Sequence, residues 1–323
     1  MKPVLVTGAT GLIGGNVCRI LTGQGRPVRA LVRAPAEAGE LAALGAELAT
    51  GDITDADSVR AAVDGCAAVV HAAAVLGGTG QDMDTFRRTN AAGAATVFDA
   101  AATGGQRVVF TASLVVFDES RTLTERSAVD HTATDPYTVT KREAFLDAMA
   151  RAGDGQDIAV VLPGATHGPA PIVSKAMVPT SFNRLIRGAI NGRMASYPAS
   201  VSMPFSFAPD VAGAIVAALE RGTRGRFYLA FGAEDAMAGP EFFNLACELA
   251  GSGHRVEAAA LDPRAPHALA TYGESMVRNM LLNRPVPAFD DSVTREVLGY
   301  RPTPVRDALR STIAWLRQHG QIS

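Results

Sequence analysis

Thr7-Gly8-Ala9-Thr10-Gly11-Leu12-Ile13-Gly14, directly after the apolar run Val4-Leu5-Val6, is the stretch that decides the fold. A strand that passes through spaced glycines into a helix is the junction that cradles a dinucleotide. Gly8 permits the tight turn, Gly11 lets the backbone approach a pyrophosphate with no Cβ in the way, and Gly14 lets the helix pack closely on the strand. The free N–H groups at that helix start, around Thr10, Leu12 and Ile13, face the phosphates. Glycines also serve ordinary turns. Here the preceding strand and the amphipathic stretch Gly15 to Leu21 that follows supply the context the motif demands.

Outward from that junction, short apolar runs alternate with longer Ala-rich helical stretches. Pro27 to Val32, Ala67 to His71, Arg107 to Thr111 and Ile158 to Leu162 read as strands with helices between them, which is the pattern of parallel βαβ units. Nearly continuous apolarity predicts cover on both faces, so the fold class is α/β, a doubly wound parallel sheet. Residues 1–162 are the dinucleotide-binding core. After Leu162 the texture changes, with Pro163, Pro169, Pro171, Pro179, Pro198, Pro204 and Pro209 interrupting a Met- and Phe-containing region. Residues 163–323 are expected to form a smaller substrate-binding lobe over the strand ends, where open sheets bind ligands. A helix (Val211 to Glu220) and a strand (Arg226 to Ala230), within about 209–232, are expected to return to the core.

A second constellation sits in the middle. Asp135-Pro136-Tyr137 opens a helix, with Asp135 able to cap it and Pro136 suited to its first turn. Lys141 follows Tyr137 by one helical turn, so both project from one face. Ser113 lies upstream at the end of the strand Val108-Val109-Phe110-Thr111, where strand ends deliver residues to a cofactor site. A cation beside a phenol favours phenolate and makes Tyr137 a usable proton donor and acceptor. Ser113 would hydrogen-bond a substrate oxygen where charge develops, and Lys141 would also hold the nicotinamide ribose.

Cofactor choice is read at the end of the second strand, Val28-Arg29-Ala30-Leu31-Val32-Arg33-Ala34-Pro35. An NAD-selective site places an acid there to accept from the ribose hydroxyls, but no acid precedes Glu37. Arg33 stands at the carboxyl end and can offer its planar fork to a 2′-phosphate. The expected cofactor is NADP, with NAD as the alternative.

Composition bounds the function classes. The 323 residues carry a formal charge of −2 and no basic face, which speaks against nucleic acid. Cys18, Cys66 and Cys247 are widely spaced in apolar context, as buried thiols are in a reducing compartment. No His/Cys/Asp cluster has metal-ligand spacing, so no metal is expected. No apolar run reaches the ~20 residues that span a bilayer, and the N-terminal residues do not read as a signal peptide. A cytoplasmic location is the expectation.

The chain resembles an extended short-chain dehydrogenase/reductase of the NAD(P)-dependent epimerase/dehydratase family, and within it the dihydroflavonol-reductase-like branch. The glycine motif, Gly51-Asp52-Ile53, Val70-His71-Ala72-Ala73, Thr89-Asn90, Ser113, Tyr137 with Lys141, Leu162-Pro163-Gly164 and the ending Arg295 to Pro302 stand in family order at family spacing. The resemblance implies that Asp52 and Ile53 contact the adenine, that Ala72, Ala73 and Ala74 line the cofactor path, and that Pro163, Gly164 and Ala165 face the nicotinamide. It makes Asn90 and His71 structural. Many members dimerise through helices matching Met83–Ala102 and Tyr137–Ala152, although the Ala-rich character of both also fits burial within one subunit.

Departures from the family pattern narrow the chemistry. Where sugar dehydratases carry an Asp-Glu pair the chain has Leu114 and Val115, which cannot do acid–base work. The usual Val-Tyr-Gly after the catalytic serine reads Val116-Phe117-Asp118. Met203 stands where nucleotide-sugar enzymes place a diphosphate-gripping arginine, and Met and Phe suit an apolar guest or plain lobe core. His167 follows the nicotinamide segment, either touching substrate or satisfied locally. The expected activity is NADP-dependent oxidoreduction of a ketone, aldehyde or secondary alcohol on an apolar small molecule. The alternatives are a sugar epimerase or sugar dehydrogenase using the same trio, and a cofactor-binding sensor without turnover.

Overall fold

The computed structural model describes residues 1–76, 81–117, 123–199, 202–232, 236–259, 262, 264–265, 277 and 289–323. Seven parallel strands make its main sheet: β1 (Val4–Thr7), β2 (Val28–Val32), β3 (Glu47–Thr50), β4 (Ala68–His71), β5 (Arg107–Thr111), β6 (Ile158–Pro163) and β11 (Phe227–Ala230), in the order β3-β2-β1-β4-β5-β6-β11. Chain direction across the sheet reverses between β1 and β4, so the crevice beyond their carboxyl ends is the switch point where such sheets bind ligands.

Side-chain alternation sorts the sheet into two apolar layers. Val4, Val6, Val70, Val109 and Val161 face one way, covered by helix α1 (Leu12–Gly23) and by the helix Ala208–Arg221. Leu5, Val69, Val108, Phe110 and Val160 face the other, covered by the helices Ala56–Val63, Gly93–Gly104 and Pro136–Gly153. Both faces being covered is why the strands read as continuously apolar. Edge strand β3 is the exception, with Glu47 and Thr50 exposed.

The remaining strands are short and form three two-stranded pairs outside the main sheet. β7 (Ala165–His167) pairs in parallel with β10 (Phe205–Phe207). β8 (Ser196–Pro198) pairs with β13 (Glu257–Ala259), and β9 (Ser202–Met203) runs antiparallel to β12 (Met237–Ala238). The helices Phe182–Ile190, Gly239–Ala250 and Val305–Gln318 enclose a third apolar cluster around Phe205, Phe242, Phe243, Ile313 and Leu316. The helix Ala208–Arg221 and strand β11 return from this lobe to the main sheet. Among the described residues no helix is long and apolar enough to cross a membrane.

Candidate active site

The glycine turn has the geometry of a backbone cradle. Gly8 has φ +68°, and a Cβ there would lie 2.6 Å from the carbonyl carbon of Ala72 and from the Ala73 nitrogen. The turn therefore fits under the segment leaving β4, which is fastened to it by the Ala72 N–H donating to the Thr7 carbonyl at 3.2 Å. At Gly14 a Cβ would stand 2.3 Å from the Gly8 carbonyl oxygen, so the helix can begin this close to the strand only without a side chain. No side chain caps α1 at Gly11 and no acid occupies its first turn. Its N–H groups and positive dipole end are left for an anion, which is what a dinucleotide's pyrophosphate requires.

Among the other residues expected at the cofactor, Arg33 is exposed beyond the end of β2 and has no hydrogen-bond or ion-pair partner among the described residues, although its charge reaches Glu37. Asp52 accepts from the Thr54 backbone N–H and hydroxyl at 2.9 and 2.8 Å, and Ile53 is buried against the second apolar layer. Ala72, Ala73 and Ala74 are half-buried along the segment that leaves β4. Asn90, in a turn of π-helix (Arg87–Ala92), clamps that segment by accepting from the Val75 N–H at 2.7 Å and donating to its carbonyl at 3.1 Å. Just beyond β6, the Gly164 N–H donates to Ser206 Oγ at 2.8 Å, and Ser206 in turn donates to the Ala230 carbonyl. Ala165 is bonded through its N–H to the Pro204 carbonyl. Pro163 closes β6, and Asn16 of α1 donates to the Pro169 carbonyl at 2.8 Å, tying α1 to the segment after β7.

Ser113, Tyr137 and Lys141 stand around the carboxyl end of β5. Ser113 lies in extended backbone just beyond β5. Asp135 caps the helix Pro136–Gly153 by accepting from the Thr138 N–H at 2.9 Å, with Pro136 in the first turn. The Tyr137 phenol lies close enough to the Ser113 side chain for that hydroxyl to influence its titration, and the Tyr137 ring meets Phe86 edge-on at 6.5 Å. Lys141, 4 % exposed, donates from Nζ to the Thr111 carbonyl at 2.9 Å and stands 5.1 Å from the centre of the Phe110 ring.

Burial is the main cause of both titration shifts. It pushes the Tyr137 phenol above its ordinary value, against the influence of the Ser113 hydroxyl, and the Asp135 charge adds to the rise. It pushes the Lys141 ammonium down to about 8. The spacing of Tyr137 and Lys141 predicts a cation that favours the phenolate and lowers the pKa of the phenol. In the structure the Tyr137 phenol is shifted upward, burial being the largest cause.

The remaining candidates are placed differently. Leu114 is packed in the second apolar layer, while Val115 is half-buried in the same short turn. His167 is 1 % exposed, bonded through Nδ1 to Thr312 Oγ1 at 2.9 Å and packed against Phe207 and Phe242, so it belongs to the lobe core. Burial pushes its imidazole down to about 3. Phe205 lies in that core too, stacked on Phe242 at 3.5 Å. The backbone of Met203 is in β9, while its side chain and Asp118 lie outside the described residues. The three cysteines are buried and free. Among the described residues no group of His, Cys, Asp or Glu could hold a metal.

The model of the NAD dependent epimerase/dehydratase family matches residues 4–230. Sterol demethylase protein B of Methylococcus capsulatus is 30% identical, over 98% of this chain and 99% of its own length. The 4-hydroxy-2-methyl-3-oxo-4-farnesyl-3,4-dihydroquinoline-1-oxide ketoreductase of Stigmatella aurantiaca is 29% identical, over 91% of this chain and 90% of its own. The crystal structure of gox2253 superposes with a TM-score of 0.86 at 26% identity, each chain covered completely.

Proposed function

We propose that this chain, which belongs to the NAD dependent epimerase/dehydratase family, is an NADP-dependent ketone or aldehyde reductase, or the corresponding secondary-alcohol dehydrogenase, acting on an apolar small molecule. The observation that carries the reading is the juxtaposition of the Ser113 hydroxyl just beyond β5, the Tyr137 phenol beside it, and the buried Lys141 ammonium bonded to the Thr111 carbonyl at the carboxyl end of the same strand. A carbonyl oxygen placed between the Ser113 and Tyr137 hydroxyls would accept from both. The bound nicotinamide would supply or take up the hydride. Tyr137 would give its proton to the oxygen as charge develops, and Ser113 would hold that oxygen in place. Lys141 would hold the nicotinamide ribose and steady the phenolate that Tyr137 becomes. Arg33 would take the 2′-phosphate that distinguishes NADP.

The apolar substrate class is supported by what the site lacks. Leu114 and Val115 occupy the places of a dehydratase acid pair, and Met203 that of a diphosphate-binding arginine. Two relatives are named for a sterol and for a farnesylated quinoline oxide, both bulky apolar skeletons. The test is oxidation of NADPH across a panel of ketones and aldehydes of increasing apolar size, with calorimetry of UDP and dTDP alongside. Turnover with apolar carbonyls and weak nucleotide binding support the proposal. Micromolar affinity for UDP or dTDP overturns the substrate class, and NADPH binding without turnover of any carbonyl turns the protein into a cofactor sensor.

A further inference from the structure

Lys141 is a buried cation that leans on the sheet. Phe110, whose ring lies beneath its ammonium, is the register partner of His71 across β4 and β5. The His71 and Phe110 rings stack with centroids 5.4 Å apart and planes 16° from parallel, and Phe98 meets both edge-on. His71 Nδ1 and Thr7 Oγ1 lie 2.7 Å apart. Thr7 is the last residue of β1, immediately before Gly8. A continuous series of buried contacts, Thr7 to His71 to Phe110 to Lys141, therefore runs from the cofactor turn to the catalytic helix.

We infer that His71 is a positioning residue for Lys141: fixed at Nδ1 by Thr7, its ring holds Phe110 in place and thereby fixes where the ammonium stands relative to Tyr137 and Ser113. The inference rests on the reading of Lys141 as a member of the active site. A neutral ring is what the position requires, since a second cation in this low-dielectric layer would repel the ammonium. Burial, with the Lys141 charge adding to it, pushes the imidazole down to about 3. The titratable group that feels the ammonium is His71 from β4, while on the ammonium's own helix Tyr137 stands one turn earlier and feels the Asp135 charge at the helix start. A residue needed only to fill space would serve better as Phe or Leu, because His71 Nε2 is buried without a partner in the protein, and an unsatisfied buried polar atom is costly.

The chain contains three lysines, Lys2, Lys141 and Lys175, so NMR of the cofactor-free, lysine-labelled protein can follow the Lys141 titration directly, with Lys141→Met assigning the signal. The parent midpoint is expected at about 8. Thr7→Val, which keeps the buried volume but removes the Nδ1 partner, and His71→Leu are both expected to raise it by about one unit. Loosening Phe110 lets the ammonium reach toward solvent. Val59→Ala, in the same apolar layer, is expected to lower Tm and leave the midpoint unmoved. A midpoint unchanged in both Thr7→Val and His71→Leu, or moved equally by Val59→Ala, overturns the inference; should His71→Leu not fold, Thr7→Val decides. NADPH affinity should fall roughly three- to tenfold in both variants. If Lys141→Met leaves NADPH affinity unchanged, the functional reading of Lys141 fails, while the NMR comparison still decides whether His71 positions it.

Discussion

The proposed cofactor cradle and the proposed reactive face are built in opposite ways. The cradle is main chain: Gly8 under the Ala72–Ala73 peptide, Gly14 against the Gly8 carbonyl, and the uncapped start of α1. The reactive face is side chain: one hydroxyl from the end of β5, and a phenol and an ammonium from one helix. A backbone site cannot be emptied without moving the fold, whereas a side-chain site can be emptied while the fold stands. Substitutions should therefore separate the two regions, the reactive face losing chemistry and the cradle losing binding and stability.

Tyr137→Phe gives the largest expected effect. Turnover should fall roughly 10²- to 10⁴-fold while NADPH affinity stays within a few-fold, since the ring is retained and only the proton is lost. Initial rates with a fluorescence titration of cofactor check this, and near-full activity would remove Tyr137 from the proton-transfer role.

Lys141→Met tests the reactive face through stability. The folded ammonium titrates at about 8 against an ordinary 10.5, so burial penalises the charged form. The unfolded chain binds the extra proton between those values, and the cost is full below pH 8 and relieved as pH rises toward 10.5. At pH 7 the variant should be more stable than the parent by about 3 kcal/mol, and by pH 10 the gap should narrow to about 1 kcal/mol. Urea unfolding at both pH values checks it; a gap that fails to narrow would mean that Lys141 is not carried as a buried cation.

Arg33→Ala sharpens the comparison from the cradle's rim. A charge-assisted bond of about 1.5–3 kcal/mol implies a loss of roughly 10- to 150-fold in NADPH affinity with NADH nearly unchanged. Equal weakening of both cofactors would show that Arg33 does not read the phosphate. At the cradle itself, Gly14→Ala must push the helix away from the Gly8 carbonyl, for an expected loss of about 1–3 kcal/mol together with weaker NADPH binding. A Tm and an affinity both equal to the parent's would break the steric account.

Both regions were legible in the sequence because each is specified locally. Glycine spacing encodes the turn, and one helical turn between Tyr137 and Lys141 encodes a shared face. Strands β1, β2, β4, β5 and β6 were legible from continuous apolarity, and β3 was missed because an edge strand with Glu47 and Thr50 exposed carries no such run. The lobe resisted reading for another reason. Its strands are two or three residues long and pair across long stretches of chain, Ala165–His167 with Phe205–Phe207 and Ser196–Pro198 with Glu257–Ala259. Nothing in Thr166-His167-Gly168 says that the imidazole turns to Thr312 in the lobe core. The contact of Thr7, His71 and Phe110 was equally hidden, since it exists only once β1, β4 and β5 are in register.

The space shared by Gly8 and the Ala72–Ala73 peptide bears on how such a protein can change over generations. A side chain at residue 8 would collide with the Ala72 carbonyl group and the Ala73 nitrogen at 2.6–2.7 Å, and moving that peptide would break the bond from the Ala72 N–H to the Thr7 carbonyl. Because those are main-chain atoms that every residue type carries, no exchange of side chains at 72 or 73 can make room for one at 8, and a change at Gly8 has no compensating partner in that segment.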